Sequence, residues 1–276
     1  MPTLIQLTDF HLRPPGKLTL GEVDADALAT AAIDAVIARH PEPDAVLVTG
    51  DVADLGEDDA YSRAAMLLSR FTAPVLVMPG NHDRTEPMRQ AFSAWHGVSD
   101  HPVAEKICHV TEVGGVDIIC LDTSVDGLDR REHHGELGTS QLEFLREVLS
   151  RGNPSIIAMH HPPVPMRLGR MDDYGLHDAE DLAATIAGGN VLRIVCGHVH
   201  RMVVGELASV PVVAIPGVAH QVALNHDPEA APRRVMEPPA YAVHIVEDGF
   251  ATSQIGYVDE FGGPQVMWGR KAEADR

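Results

Sequence analysis

Two kinds of apolar pattern alternate along this chain. In the first, short stretches are almost wholly apolar, with at most one polar residue among the apolar ones: Leu4–Leu7, the run that leads to Asp51 within Asp44–Asp51, Val75–Met78, Ser155–Met159 and Leu192–Cys196. Short runs of this kind predict strands buried on both faces. In the second, apolar residues recur every three or four positions. Val23–His40 carries Val23, Ala27, Leu28, Ala31, Ala32, Ala35 and Val36 at that spacing, with acids early and Arg39 late, which suits a helix dipole. Asp58–Phe71, Thr85–His96, Thr139–Arg151 and Asp178–Ala187 read as helices as well. Thr139 is the expected N-cap of its helix, with Leu142, Leu145 and Leu149 on the inner face. Ile107–Asp122 predicts two strands around a turn at Gly114-Gly115. Strand and helix in alternation predict an α/β fold, with a parallel sheet covered by helices.

The character changes after His200. Val203–Ile215 and Tyr241–Tyr257 read as strands joined by a long Pro-rich, polar loop, Asn225–Pro239. The expected division is a core over residues 1–202, and a C-terminal part over 203–276 that closes a second sheet and supplies a lid or contact surface. The polar tail Gly269–Arg276 is expected to fray.

Composition narrows the function. The net charge of −19 argues against a nucleic-acid polymer or an anionic membrane as partner, because both need basic surface. A small anionic substrate stays open, since bound cations can dominate a local field. Aromatic content of 4% leaves the core to Val, Leu, Ile and Ala. Cys108, Cys120 and Cys196 are widely spaced and odd in number, and read as buried, reduced thiols. No apolar run reaches the ~18 residues of a membrane span. The opening MPTLIQLTD has no basic region followed by a signal-peptide core and reads directly as a first strand, so a soluble, cytoplasmic protein is expected.

The candidate chemistry stands where the apolar runs stop. LIQLTDFH ends in Asp9 and His11, VLVTGD in Asp51, VLVMPGNHD in Asn81, His82 and Asp83, IIAMHH in His160 and His161, and IVCGHVH in His198 and His200. In open α/β sheets, ligands gather at the carboxyl ends of strands. Carboxylate, imidazole and amide oxygen suit first-row transition metals. Two such ions lie roughly 3.5–4 Å apart in two-metal hydrolases and need a shared carboxylate between them. Asp51 is the natural candidate. Asp9 and His11, two apart in an extended segment, can face one ion.

The ordered blocks DFH, GDV, GNHD, HH and GHVH, spread over residues 4–200, resemble the calcineurin-like metallophosphoesterase family. The resemblance implies a four-layer sandwich of two mixed β-sheets flanked by helices, with a small C-terminal lid or dimerisation element. It implies Asp9, His11, Asp51 and His200 around one metal, and Asp51, Asn81, His160 and His198 around a second. His82 would contact the phosphate with Asn81 or protonate the leaving group, and Asp83 would orient or polarise His82. MHHPPVP (Met159–Pro165), CGHVHR (Cys196–Arg201) and PGVAHQV (Pro216–Val222) are similar to the bacterial class III cyclic nucleotide phosphodiesterases and the related glycerophosphodiesterases. That subgroup places a histidine facing substrate at His220, and it forms homodimers or larger assemblies.

The implied activity is hydrolysis of small phosphodiesters by attack of a metal-bridging hydroxide. The substrate is either a 3′,5′-cyclic nucleotide such as cyclic AMP or a glycerophosphodiester. Phosphomonoester or protein-phosphate hydrolysis, and a scaffold without catalysis, are the alternatives. The two ions can be Fe, Mn, Zn or Co.

Most of the sixteen histidines read as unrelated to this chemistry. His40, His96, His101, His109 and His244 suit surface or helix-end positions. His133 and His134, in the charged loop RREHHGE, read as solvated more readily than as substrate contacts, His161 as a structural hydrogen-bonding group, and His177 and His226 as loop residues. Met66, Met78 and Met159 read as core.

Overall fold

The computed structural model describes residues 1–95, 97–98, 102–104, 106–127 and 132–262. His96, His101, Arg130, Arg131 and the tail Gly269–Arg276 lie outside these residues. In chain order the elements are β1 (Thr3–Leu7), α1 (Ala25–Arg39), β2 (Ala45–Thr49), α2 (Asp58–Leu68), β3 (Val75–Met78), α3 (Thr85–Ala91), β4 (His109–Val113), β5 (Val116–Cys120) and α4 (Gly138–Leu149). There follow β6 (Ser155–Ala158), a 3-10 helix (Gly169–Tyr174), α5 (Ala179–Ile186), β7 (Val191–Cys196), β8 (Val203–Leu207) and β9 (Val210–Ala214). The chain then makes β10 (Gln221–Val222), β11 (Arg234–Val235), β12 (Ala240–Glu247) and β13 (Phe250–Tyr257).

These strands form a five-stranded sheet, β13-β12-β1-β2-β3, a six-stranded sheet, β4-β5-β6-β7-β9-β8, and a small antiparallel pair, β10-β11. Both large sheets are mixed. β1, β2 and β3 pair in parallel, as do β5, β6, β7 and β9; antiparallel hairpins finish both edges of the six-stranded sheet and one edge of the five-stranded sheet, whose other edge is β3.

Period-two alternation assigns the faces. Leu4, Leu47, Leu76 and Met78 of the first sheet meet Ile118, Cys120, Ile156 and Val195 of the second in one buried cluster. Their neighbours Ile5, Leu7, Val46, Val48 and Val77 point the other way, into a core that includes Ala32, Ile33 and Val36 of α1 and Tyr61, Ala64 and Leu68 of α2. Ile119, Ile157 and Ile194 do the same beneath Leu145 and Val148 of α4 and Leu182 and Ile186 of α5. The result is four layers: helix, sheet, sheet, helix.

Several local expectations are corrected. The strands after residue 202 divide between the sheets instead of all closing the second: β8 and β9 extend the six-stranded sheet, whereas β12 pairs with β1. Each sheet has an open edge, and alternation along β12 fits either one. Burial of Tyr241 in the core beneath α1, with its hydroxyl 3.1 Å from His40 Nε2, goes with its place in the first sheet. Thr139 is not a cap. α4 starts one residue earlier, and Asp178 accepts from the amides of Leu137 and Gly138 at its entrance. Met66 lies on the outer face of α2 and is 55% exposed, while Met78 and Met159 are fully buried.

His109 and His244 are buried, not superficial. His244 stands between Ser253 Oγ (2.7 Å) and Gln6 Oε1 (3.0 Å). Gln6 in turn donates to Thr49 Oγ1 and to the Cys196 carbonyl, tying the first sheet to the second. Burial, aided by Arg193, pulls the His244 pKa down to about 3. An unfolded histidine titrates at about 6.5. Below that pH the unfolded chain binds a proton that the folded chain refuses, so stability is complete above about 6.5 and is lost as pH falls toward the folded value. We expect the wild type to lose about 1 kcal/mol more than His244→Gln between pH 7.5 and 5.5, since each pH unit below the unfolded pKa costs up to about 1.4 kcal/mol. Urea unfolding at both pH values measures this, and equal losses in the two proteins would refute it.

Candidate metal centre

The loops that leave β1, β2, β3, β6 and β7 converge. They carry Asp9 and His11, Asp51, Asn81, His160, and His198 with His200, respectively. Five of these residues bend the backbone into the left-handed region: Asp9 (φ 54°), His11 (46°), Asp51 (50°), His198 (69°) and His200 (50°). Aspartate and histidine tolerate this region better than most residues, yet each such strained position costs roughly 1 kcal/mol or more. The expected extended segment at Asp9–His11 is therefore corrected. Each side chain turns inward from its own bend, and the residue between, Phe10, is buried in the core. His198-Val199-His200 repeats the device with buried Val199. The spacing works as donor, anchor, donor.

The donor atoms form two sets. In the first, His200 Nε2 lies 3.1 Å from Asp9 Oδ1 and 3.2 Å from His11 Nε2, and His11 Nε2 lies 3.5 Å from Asp51 Oδ2. In the second, Asn81 Oδ1 lies 2.9 Å from His198 Nδ1 and 3.1 Å from His160 Nε2, and His160 Nε2 lies 3.4 Å from the same Asp51 Oδ2. Asp51 thus reaches both sets with one oxygen. Its Oδ1 accepts from the His82 amide at 2.9 Å, which fixes the carboxylate plane. The crowding leaves no room for side chains nearby. A Cβ on Gly80 would lie 2.3 Å from Asp51 Oδ1, and one on Gly197 would lie 2.1 Å from Thr8 Oγ1.

Hydrogen bonds behind the rings set the tautomers. His160 Nδ1 donates to the Thr49 carbonyl (2.8 Å), and His200 Nδ1 donates to the His220 carbonyl (2.7 Å). Both therefore turn Nε2 toward the carboxylates. The electrostatics divide the imidazoles: burial lowers the pKa of His11 and His198, whereas the carboxylates favour positive charge on His160 and His200. Burial alone would raise the Asp51 pKa, but His160, His82 and His11 hold it well below the usual range. Burial would lower His160, yet Asp51 and Asp9 push it up to about 9. Asp9 is lowered and His200 raised, burial opposing each shift and their mutual attraction prevailing. Buried carboxylates that draw protons onto neighbouring imidazoles offer a place where cations can stand instead. The donor chemistry fits: among the described residues, Asp9, His11, Asp51 and His200 form one group able to hold a metal ion, and His160, His161 and His198 another.

Residues 2–202 match the family described as calcineurin-like phosphoesterase. This chain belongs to that family. It is similar to a probable glycerophosphodiester phosphodiesterase of Arcobacter nitrofigilis, 30% identical, with 98% of each chain covered. It is equally similar to a probable cyclic nucleotide phosphodiesterase of Rhodococcus erythropolis, 30% identical over 99% of this chain and 87% of the relative. Among solved structures, the purple acid phosphatase of yellow lupin superposes with a TM-score of 0.65 at 16% identity, over 93% of this chain and 51% of the lupin chain. That likeness concerns the fold alone, and this chain spans about half the length of the lupin protein.

Some parts of this calcineurin-like site were not foreseen. Asp83 does not polarise His82. Its carboxylate accepts from the amides of Val52, Ala53 and Gly80 and from the Tyr61 hydroxyl, stapling the loop after β2 to the loop after β3. Asp54 takes the place behind the imidazoles. His82 Nδ1 donates to its carbonyl at 2.8 Å, and its carboxylate faces His11 Nδ1 at 3.3 Å and His82 Nδ1 at 3.8 Å. Its only sequence signal is its place three residues after Asp51, which many loop acids share. His161, although close enough to His160 and His198 to share an ion with them, is tied through both ring nitrogens: Nδ1 meets Thr123 Oγ1 at 2.7 Å and Nε2 donates to the His133 carbonyl at 3.0 Å. Burial keeps it neutral, with a pKa well below the usual value.

A cleft of about 330 Å³ opens over the two donor sets. His82 and His220 line it beside Leu20, Met171, Tyr174, Val222 and Pro232. The His220 ring lies 4.6 Å from that of His200, and burial drives its pKa down to about 2, so it faces the cleft neutral. Among the described residues that line the cleft there is no lysine or arginine. All three cysteines are buried and unpaired, and no helix among the described residues is long and apolar enough to cross a membrane.

Proposed function

We propose that this calcineurin-like phosphoesterase is a two-metal hydrolase of small phosphodiesters. The observation that carries the reading is Asp51 Oδ2, within 3.5 Å of a donor in each of two separate sets. Asp9, His11, Asp51 and His200 would hold one ion; Asp51, Asn81, His160 and His198 the other. When bound, the metals supply Lewis acidity toward the phosphate and lower the pKa of a water nucleophile. Among the described residues, the cleft lining carries no lysine or arginine to meet a phosphate. That suits a singly charged diester better than a dianionic monoester. His82 is the proposed proton donor to the leaving alkoxide. Its Nδ1 is fixed by Asp54, so Nε2 is the nitrogen left for the substrate. His220 is proposed to contact substrate as a neutral imidazole.

Between the substrates named for the two relatives, the cleft wall favours a cyclic nucleotide. Leu20 is 60% exposed and strained at φ 53° at the tip of a turn, which places an apolar side chain at the mouth. With Met171, Tyr174, Val222 and Pro232 it makes a weakly polar shelf beside the donor atoms. A nucleobase stacks on such a shelf, whereas the hydroxyls of glycerol would find few partners there. Tyr174→Ala and Leu20→Ser are each expected to raise KM for cyclic AMP by about tenfold or more, because the base then has less ring and apolar surface to stack against. They should change KM for glycerophosphoethanolamine by less than about threefold. A panel of cyclic AMP, cyclic GMP, glycerophosphocholine and glycerophosphoethanolamine, run after reconstitution with Mn, Zn, Co or Fe, tests both levels of the reading. No metal-dependent turnover of any diester would refute the enzyme, and preference for the glycerophosphodiesters would refute the shelf.

A homodimer or larger assembly is proposed on the exposed Met202 and Val204 at the edge strand β8, and sedimentation reads it directly. The free thiols support a reducing, cytoplasmic setting.

A further inference from the structure

The Asn81 amide has two chemically different ends: Oδ1 can face a cation and Nδ2 cannot. Oδ1 is turned to His198 Nδ1 and His160 Nε2. His160 donates from Nδ1 to the Thr49 carbonyl, so loss of the Nε2 proton, which metal binding requires, leaves a lone pair on that nitrogen. An amide beside such a lone pair gains by turning its NH₂ inward and donating to it. That rotation would put N–H groups where a metal needs an oxygen.

On the opposite side of the amide stands His133, with Nδ1 2.9 Å from Asn81 Nδ2. Nδ2 only donates, so this ring nitrogen accepts. We propose that His133 is a positioning residue, which holds the Asn81 amide with its oxygen facing His160 and His198. The proposal rests on the reading of Asn81 as a metal ligand.

The imidazole is itself held from several sides. Its ring stacks on His82 (5.5 Å, 13°) and meets Tyr174 edge-on (5.5 Å, 87°). The His133 carbonyl accepts from His161 Nε2, and His161 is anchored on Thr123. A Cβ at Gly135 would lie 2.4 Å from His161 Nδ1, so the loop can close over that ring only with glycine there. Thr123, His161, His133 and Asn81 form one continuous line from the end of β5 to the donor set.

The test is calorimetric titration of the metal-stripped full chain with Mn²⁺, comparing wild type with Asn81→Ala, His133→Ala and His133→Asn. Orienting partners of this kind are typically worth roughly 10- to 100-fold in metal affinity. We expect Asn81→Ala and His133→Ala to weaken the same one of two sites by at least about tenfold. His133→Asn, whose Oδ1 can accept where Nδ1 did, should restore that site to within about threefold. If Asn81→Ala weakens a site and His133→Ala does not, the proposal fails while the metal reading stands. Weakening by His133→Ala without rescue by His133→Asn also overturns it, because the loop would then matter only for shape. If neither variant alters binding, Asn81 is not a ligand and both readings fall. Should His133→Ala not fold, His133→Lys, which offers only donors, replaces it with the same expected loss.

Discussion

Asp51→Ala is expected to lower metal-dependent hydrolysis of bis(p-nitrophenyl) phosphate by at least about a thousandfold, a loss of about 4 kcal/mol in transition-state stabilisation. The size follows from the position of one oxygen. Asp51 Oδ2 lies 3.5 Å from His11 Nε2 and 3.4 Å from His160 Nε2, so its removal takes a donor from both sets at once. It also removes the negative charge that offsets two adjacent cations. Asp51→Asn separates charge from shape. It keeps an oxygen to accept from the His82 amide but carries no charge, and it should lose nearly as much. Metal content by elemental analysis should fall in both variants while far-UV circular dichroism stays unchanged. A fully metallated, fully active Asp51→Ala protein would remove the basis for a shared carboxylate.

His82→Ala is expected to separate substrates by leaving group. For a cyclic nucleotide the departing alkoxide needs a proton, and kcat should fall by about 10²- to 10⁴-fold. For bis(p-nitrophenyl) phosphate the departing phenolate needs none, and the loss should stay below about tenfold. The variant keeps the backbone amide that donates to Asp51 Oδ1, so the donor sets are spared. It removes the imidazole that Asp54 holds through its carbonyl, within 4.7 Å of the His11 ring. Equal losses on both substrates would mean that His82 binds phosphate and does not donate a proton.

The strand-end blocks were legible in the sequence for a topological reason. A strand buried on both faces reads as a continuous apolar run, and the polar residue that ends it stands at the sheet's edge. Parallel strands bring several such edges together. Asp9, His11, Asp51, Asn81, His160, His198 and His200 could therefore be grouped before any coordinates. The spacing also hid something. The D-x-H spacing suggests an extended chain, whereas Asp9 and His11, like His198 and His200, each sit in a left-handed bend around a buried anchor.

By itself, the sequence determined the strand and helix alternation, the burial of most predicted strands, and the residue types that end them. These are local properties, written in periods of two and 3.6. Only the tertiary structure decided that β12 joins β1, that Asp83 staples two loops while Asp54 stands behind His82, and that His133 bonds to Asn81. Each of these depends on which residue lies across a gap from another. That pairing is set by how the sheets pack and by the demand that buried polar groups find partners, and no pattern along the chain records it.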